Sequence, residues 1–382
     1  ETENTEEVNK TKEAINKRSH INQDLCEDIK NMTMDDPESN MKKIEEQGNR
    51  KIETKNQSSL LTSTEKAPQD PISIYESRQS DTALSHNAAG IKKYNMNDYK
   101  SALASFQHAL QIRLKLFGEV HPETAESYYI IGATQHEMKH YEVALESKQH
   151  ALQIRLKLFG EDHHDTAQSY NNIGETQREM EDYKAALESY QHALQIRLKL
   201  FGEDHPDTAQ SYNNIGVTQH KMKDYKAALE SDQHALQIRL KLFGEDHSDT
   251  AQTYNKIGVT QHEMKDYRAA LESKQHALQI RIQLFEEDHH DMAESYHDIG
   301  VTQHGMKDYK AALESKQHAV QIRLKLFGED HHDTAQSYYS IGMTQNEMKD
   351  YNAALESDQH ALEIRLKLFG EDHPDTAQSY NN

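Results

Sequence analysis

Residues 207–244 read DTAQSYNNIGVTQHKMKDYKAALESDQHALQIRLKLFG. Ala209, Tyr212, Ile215, Gly216, Gln219 and Met222 recur mostly at spacings of three and four, which is one face of an amphipathic helix. Lys223 and Asp224 interrupt the pattern as a turn. Tyr225, Ala228, Leu229, Ala235, Leu236, Ile238, Leu240, Leu242 and Phe243 then trace a second, longer helix, and Gly244 is expected to close it with left-handed backbone. Between units runs Asp-His-Pro-Asp, as at 204–207, where Pro206 suits a first helical position and Asp207 the positive first turn. The small residues Gly216, Ala228 and Ala235 let the two helices approach closely.

Working outward, the glycine recurs at Gly90, Gly132, Gly174, Gly216, Gly258, Gly300 and Gly342, a spacing of 42 each time. A tyrosine follows each of them: Tyr99, Tyr141, Tyr183, Tyr225, Tyr267, Tyr309 and Tyr351. A fixed period of this size belongs to a solenoid, in which no unit covers its own apolar stripe and stacking hides the stripes. The expected fold is therefore all-α, an array over 81–382 of seven helix-turn-helix units with the first degenerate and an eighth opening at Thr376. Glu286 replaces the closing glycine of one unit, at an expected cost of roughly 1 kcal/mol if the backbone stays left-handed. The eighth unit stops at Asn382, so the sequence is expected to be a piece of a larger protein, and its uncapped last long helix to favour self-association.

Residues 1–80 differ in kind. They hold 17 acidic and 12 basic residues and scattered apolar ones, too few to offset the entropy of ordering, and are expected to form a disordered or partly helical polar tail. Pro68 and Pro71 are expected to mark a linker. Over the whole chain only 35% of residues are apolar and the formal charge is −21, which argues against a nucleic-acid partner. Cys26 stands alone, which excludes an intrachain disulfide and fits a reducing, cytoplasmic setting. No apolar run of about 18 residues is present, so no membrane span is expected.

The run from Ala193 through Asp204-His205-Pro206-Asp207 to Gly216 resembles the tetratricopeptide repeats of kinesin light chains and nephrocystin-type proteins, which share a 42-residue variant with a lengthened second helix. The resemblance implies a right-handed superhelix whose concave groove, lined mainly by first helices, binds peptides. It covers about residues 83–382. Residues 1–80 lack the sustained heptads of kinesin light chains, and the chaperone-type Lys-and-Asn clamp is not reproduced, since Asn213 and Val217 stand at those places. The eleventh position of the repeat, often a large aromatic in the family, is Gln135, Gln177, Gln219, Gln261, Gln303 or Gln345 here.

Because the copies are near-identical, positions that vary between them are expected to be free of stacking and to mark a partner surface. Two before the glycine the series is Ala88, Ile130, Asn172, Asn214, Lys256, Asp298, Ser340; five after it, Asn95, Glu137, Glu179, Lys221, Glu263, Gly305, Glu347. Sixteen after it stand Phe106, Lys148, Tyr190, Asp232, Lys274, Lys316 and Asp358, expected near the groove wall. Asn171, Asn213 and Asn255 have amides able both to donate to and to accept from a peptide backbone. With Asn172, Arg178, Asn214, Val217, His220, Lys221, Lys256 and His262 they form the expected peptide-binding face, suited to a polar peptide of some basic character.

No catalytic constellation emerges, and no enzyme or cofactor is expected. His136-Glu-Met-Lys-His140 has zinc-protease spacing, but its sister copy ends in Asp266 and His140 falls in the turn. Of the 25 histidines, two sets of seven, His108 to His360 and His121 to His373, recur one per unit, too far apart for copies to share an ion; protonation of all 25 would move the formal charge from −21 to +4, with least solubility expected between about pH 5 and 6. Three readings remain: an interaction scaffold, a kinesin-light-chain-like cargo adaptor, and the sensor arm of a nucleotide-binding signalling protein.

Overall fold

A computed structural model describes residues 71–285 and 289–380. Among them are fifteen helices and no strand: α1 (Pro71–Asn95), α2 (Tyr99–Phe117), α3 (Pro122–Glu137), α4 (Tyr141–Phe159), α5 (His164–Glu179), α6 (Tyr183–Phe201), α7 (Pro206–Lys221), α8 (Tyr225–Phe243), α9 (Ser248–Glu263), α10 (Tyr267–Leu284), α11 (His290–Gly305), α12 (Tyr309–Phe327), α13 (His332–Glu347), α14 (Tyr351–Phe369) and α15 (Pro374–Tyr380). Odd-numbered helices open each hairpin and even-numbered ones close it. The described residues divide into two compact units, one ending at Leu158 and one beginning at Phe159. Most of the polar tail lies outside the described residues; Pro71, expected in a linker, is instead the first residue of α1.

Local chemistry sets the helix ends. Asp182, Asp224, Asp266, Asp308 and Asp350 cap the even helices, each carboxylate accepting the backbone N–H three residues on, at 3.2–3.3 Å. The odd helices use histidine. Nδ1 of His121, His163, His205, His247, His289, His331 and His373 accepts the backbone N–H two residues on, at 3.1–3.3 Å. Each of these rings also stacks on the phenylalanine at the end of the preceding even helix or, for Phe285, just past it, with centroids 3.8–4.4 Å apart. The linker histidines are therefore part of the scaffold.

Gly244 has φ of 80° and ψ of −170°. The sign of φ is as expected but the ψ is extended, a combination essentially confined to glycine. Glu286 itself lies outside the described residues; just before it α10 stops at Leu284 and Phe285 is extended, at φ −120°. Every hairpin turn also holds a non-glycine residue at positive φ: Asn97, Lys139, Glu181, Lys223, Lys265, Lys307 and Lys349 lie between 59° and 65°.

The core is a thin layer of small residues. Ala186, Ala193, Ala228 and Ala235 are fully buried, and Ile196, Ile215 and Ile238 fill the space beside them. A Cβ on Gly216 would fall 2.5 Å from Asp232 Oδ1, so α7 and α8 touch with no room for a side chain there. The hairpin is also held by polar bonds: Ser189, Ser231, Ser273, Ser315 and Ser357 donate to the Oε1 of Gln177, Gln219, Gln261, Gln303 and Gln345 at 2.7–2.8 Å. The glutamines at the eleventh position of the repeat thus serve as acceptors for a serine on the facing helix. In the second unit successive hairpins are joined by one repeated contact, in which Nη1 of Arg197, Arg239, Arg281, Arg323 and Arg365 reaches the hydroxyl of Ser211, Thr253, Ser295, Ser337 and Ser379 at 2.5–2.8 Å.

Candidate functional site

The variable positions fall into two groups. The series sixteen after the glycine, expected near a wall, is buried: Phe106, Lys148, Tyr190, Asp232, Lys274 and Lys316 are all at most 4% exposed. These side chains lie beneath the glycine of their own hairpin, because the missing Cβ leaves space that the second helix fills. The expectation that variable positions are free of stacking therefore does not hold for them.

The asparagines three before the glycine are also engaged between hairpins. Asn214 Nδ2 donates to Asn171 Oδ1 at 2.9 Å, Lys256 Nζ to Asn213 Oδ1 at 2.6 Å, and Asn255 Nδ2 to Asp298 Oδ2 at 3.2 Å. Asn172 and Asn213 are buried, and Gln168 Nε2 donates to Asn172 Oδ1 at 3.0 Å. Burial brings the Lys256 ammonium down to about 8, and Arg239 beside it acts in the same direction. The structure thus brings Asn171, Asn213, Asn214, Asn255 and Lys256 together as a polar ladder along the first helices. Asn171, Asn213, Asn214 and Lys256 are hydrogen-bonded to one another, and Asn255 to Asp298, with Asn255 Oδ1 left buried without a partner.

Outside the ladder, Val217 is half-buried and Lys221 exposed on α7, with His220 between them. Val259 and His262 repeat the arrangement on α9, and Val301 and His304 on α11. The rings of His220, His262 and His304 stand edge-on to Tyr225, Tyr267 and Tyr309, with centroids 5.1–5.2 Å apart. His220 Nδ1 lies 3.2 Å from Thr260 Oγ1. Burial holds all three imidazoles below their ordinary value. On α5 Arg178 pairs with Glu179 at 3.0 Å. The second unit therefore presents a strip of valine and neutral imidazole, edged by charges that differ from hairpin to hairpin.

The first unit carries a feature built around two of the variable positions, Phe106 and Ile130. Ile91, Tyr94, Phe106, Tyr129, Ile130 and Ala133 line an apolar recess of roughly 370 Å³, part of it open solvent. Ile91 and Ala133 stand where Val217 stands in its hairpin, and Tyr94 where His220 does. The signal was present in the sequence, since the second copy carries Tyr129 and Ile130 where Asn213 and Asn214 stand in the fourth.

His140 lies just outside α4, as its place in the turn required, and His136 stands edge-on to Tyr141 at 5.2 Å. Among the described residues no three His, Cys, Asp or Glu side chains gather to hold a metal ion. No helix among them is long and apolar enough to cross a membrane.

Comparison with solved structures returns the same architecture. The chain is similar to BtubC (BKLC) from P. vanneervenii, with 19% identity and a TM-score of 0.51 over 66% of this chain and 92% of that one. It is similar to the apo form of RapI, with 18% identity and a TM-score of 0.56 over 75% and 98%. A putative kinesin light chain from Podosopora anserina with nearly identical TPR-like repeats aligns at 15% identity and a TM-score of 0.50 over 54% and 98%. At these identities the likeness is one of fold. No curated protein matches. The tetratricopeptide repeat profile matches seven overlapping stretches, 81–157, 144–199, 178–241, 207–283, 249–325, 306–367 and 339–382. The chain belongs to the tetratricopeptide repeat family.

Proposed function

We propose that this chain is a non-enzymatic scaffold that binds a segment of another protein along its first helices. The observation that carries the proposal is the partition of those helices. The ladder side chains serve stacking, whereas Val217, His220 and Lys221, with their equivalents Val259, His262 and Glu263, remain at the surface. Half-open apolar side chains beside neutral imidazoles and a variable charge suit an apolar anchor flanked by polar contacts. The apolar recess at Ile91, Tyr94 and Ala133 supports the same use of these positions in the first unit. Arg178 and Asn172 would then act at the margin and in the backing of the face.

A kinesin-light-chain or nephrocystin type is supported by the Asp-His-Pro-Asp linker, whose histidine caps the following helix. A cargo-adaptor role would follow from the first of these, and a sensor arm of a nucleotide-binding protein from the second. The lone Cys26 and net charge of −21 favour a cytoplasmic setting with protein rather than nucleic-acid partners.

The test is selection of a random peptide library on the immobilised full chain, run beside Val217→Glu/Val259→Glu with helix content checked by circular dichroism. Enrichment of peptides sharing an apolar anchor, lost on the double variant, is the expected result. Equal enrichment on both chains would remove this face from consideration.

A further inference from the structure

Three buried or half-buried positions at the contact between successive hairpins change in charge from one seam to the next. The arginine bonds recur at every described seam of the second unit, so they cannot tell one hairpin from another. The buried residue on an even helix, the ladder residue on its own odd helix, and the residue two before the glycine of the next odd helix do differ. Between α8 and α9, Asp232 holds the place that Lys274 holds on α10 and Lys256 the place that Asp298 holds on α11, and Lys256 Nζ donates to Asn213. Between α10 and α11 the signs are exchanged. Lys274 Nζ donates to the Asp298 carbonyl at 3.1 Å and to Thr302 Oγ1 at 3.0 Å, and Asn255 holds the Asp298 carboxylate. Between α12 and α13, Lys316 Nζ reaches the Ser340 carbonyl at 2.9 Å and Thr344 Oγ1 at 2.7 Å with no acid opposite. In the first unit the corresponding pair is wholly apolar, Phe106 with Ile130.

Mispairing of near-identical repeats is the characteristic hazard of such an array. Were α8 to stack on α11, Asp232 would be buried against Asp298; were α10 to stack on α9 of a second copy, Lys274 would meet Lys256. Both set a like charge beside a side chain at most 3% exposed, Asp232 or Lys274, where screening is poor and desolvation is uncompensated. Asp232 already carries one carboxylate oxygen with no hydrogen-bond partner, so this arrangement is not the most stabilising one available.

We propose that the opposite-signed pairs Asp232–Lys256 and Lys274–Asp298 are a recognition code that fixes which hairpin stacks on which, within the chain and against other copies of it.

The discriminating variant is Asp232→Lys/Lys256→Asp in the full chain. It rebuilds at the first seam the arrangement found at the second, because Asn213 and Thr260 already match Asn255 and Thr302. Local complementarity survives and the distinction between the two seams is lost. On dilution from urea at micromolar concentration, the double variant is expected to keep the urea midpoint of the parent yet to give a several-fold larger oligomeric fraction by size-exclusion chromatography with light scattering. The single changes Asp232→Lys and Lys256→Asp are expected to lower the midpoint. Refolding of the double variant as clean as that of the parent would overturn the proposal. So would single variants as stable as the parent, or a double variant that loses the midpoint, since the pairs would then not be read by sign.

Discussion

His205 Nδ1 accepts the backbone N–H of Asp207 at 3.2 Å while its ring stacks on Phe201 with centroids 4.2 Å apart. One side chain thus ends α6, turns the chain and starts α7. Loss of an N-cap acceptor typically costs about 1 kcal/mol, and the stacking is lost with it. His205→Ala should lower the urea midpoint by that order, whereas His205→Asn, which keeps an acceptor, should recover part of the loss. Equal midpoints for the two variants would show the hydrogen bond to be unimportant.

Two buried groups in the second unit tie stability to pH in opposite directions. Burial pushes the Asp232 carboxyl up to about 7 from 3.8, against the pull of Lys256 and Arg239. The folded chain therefore holds that proton more tightly than the unfolded chain. Its contribution is fully present below about pH 4 and is lost as pH rises through 7. Asp232→Asn mimics the protonated form, so it should raise the melting temperature at pH 8 and leave it little changed at pH 4.5. Burial, with Arg323, Lys316 and Lys274 nearby, brings His297 down to about 4 despite the opposing Asp298. Its contribution is present above 6.5 and is lost as pH falls towards 4. His297→Gln should flatten that acid limb. Thermal melts by circular dichroism from pH 4 to 8 measure both slopes, and parallel curves for parent and variants would contradict both assignments.

The two turn types of each repeat make opposite demands on glycine. Lys223 sits at φ 63°, where a side chain costs roughly 1 kcal/mol. Lys223→Gly should therefore stabilise the chain by something under that amount, since glycine also loosens the unfolded state. Gly244, at φ 80° and extended ψ, has open space around it, so Gly244→Ala tests backbone strain alone and should cost on the order of 1–3 kcal/mol. Equilibrium urea unfolding of the two variants should move in opposite directions.

The spacing of Gly216, Tyr225 and Gly244 made the helical hairpin and its place in an array legible, because periodicity and caps are local properties of the chain. Pro206 at the start of α7 was legible for the same reason. His205 was not: histidine is a common residue in linkers, and its capping role appears only once Phe201 offers a ring to stack on. Lys223 was read as a turn, but nothing in a lysine announces positive φ. Asp232 and Lys256 were the most misleading. Variation between copies looked like freedom from packing, whereas Asp232 is buried and Lys256 bonds Asn213 of the preceding hairpin.

By itself, the sequence determined an all-helical tetratricopeptide array. Only the tertiary structure decided which variable side chains face the neighbouring hairpin and which remain at the surface. The physical reason is reach. Helix formation is set within a few residues, but Asn213 finds Lys256, and Lys274 finds Asp298, only after one hairpin has been laid against the next.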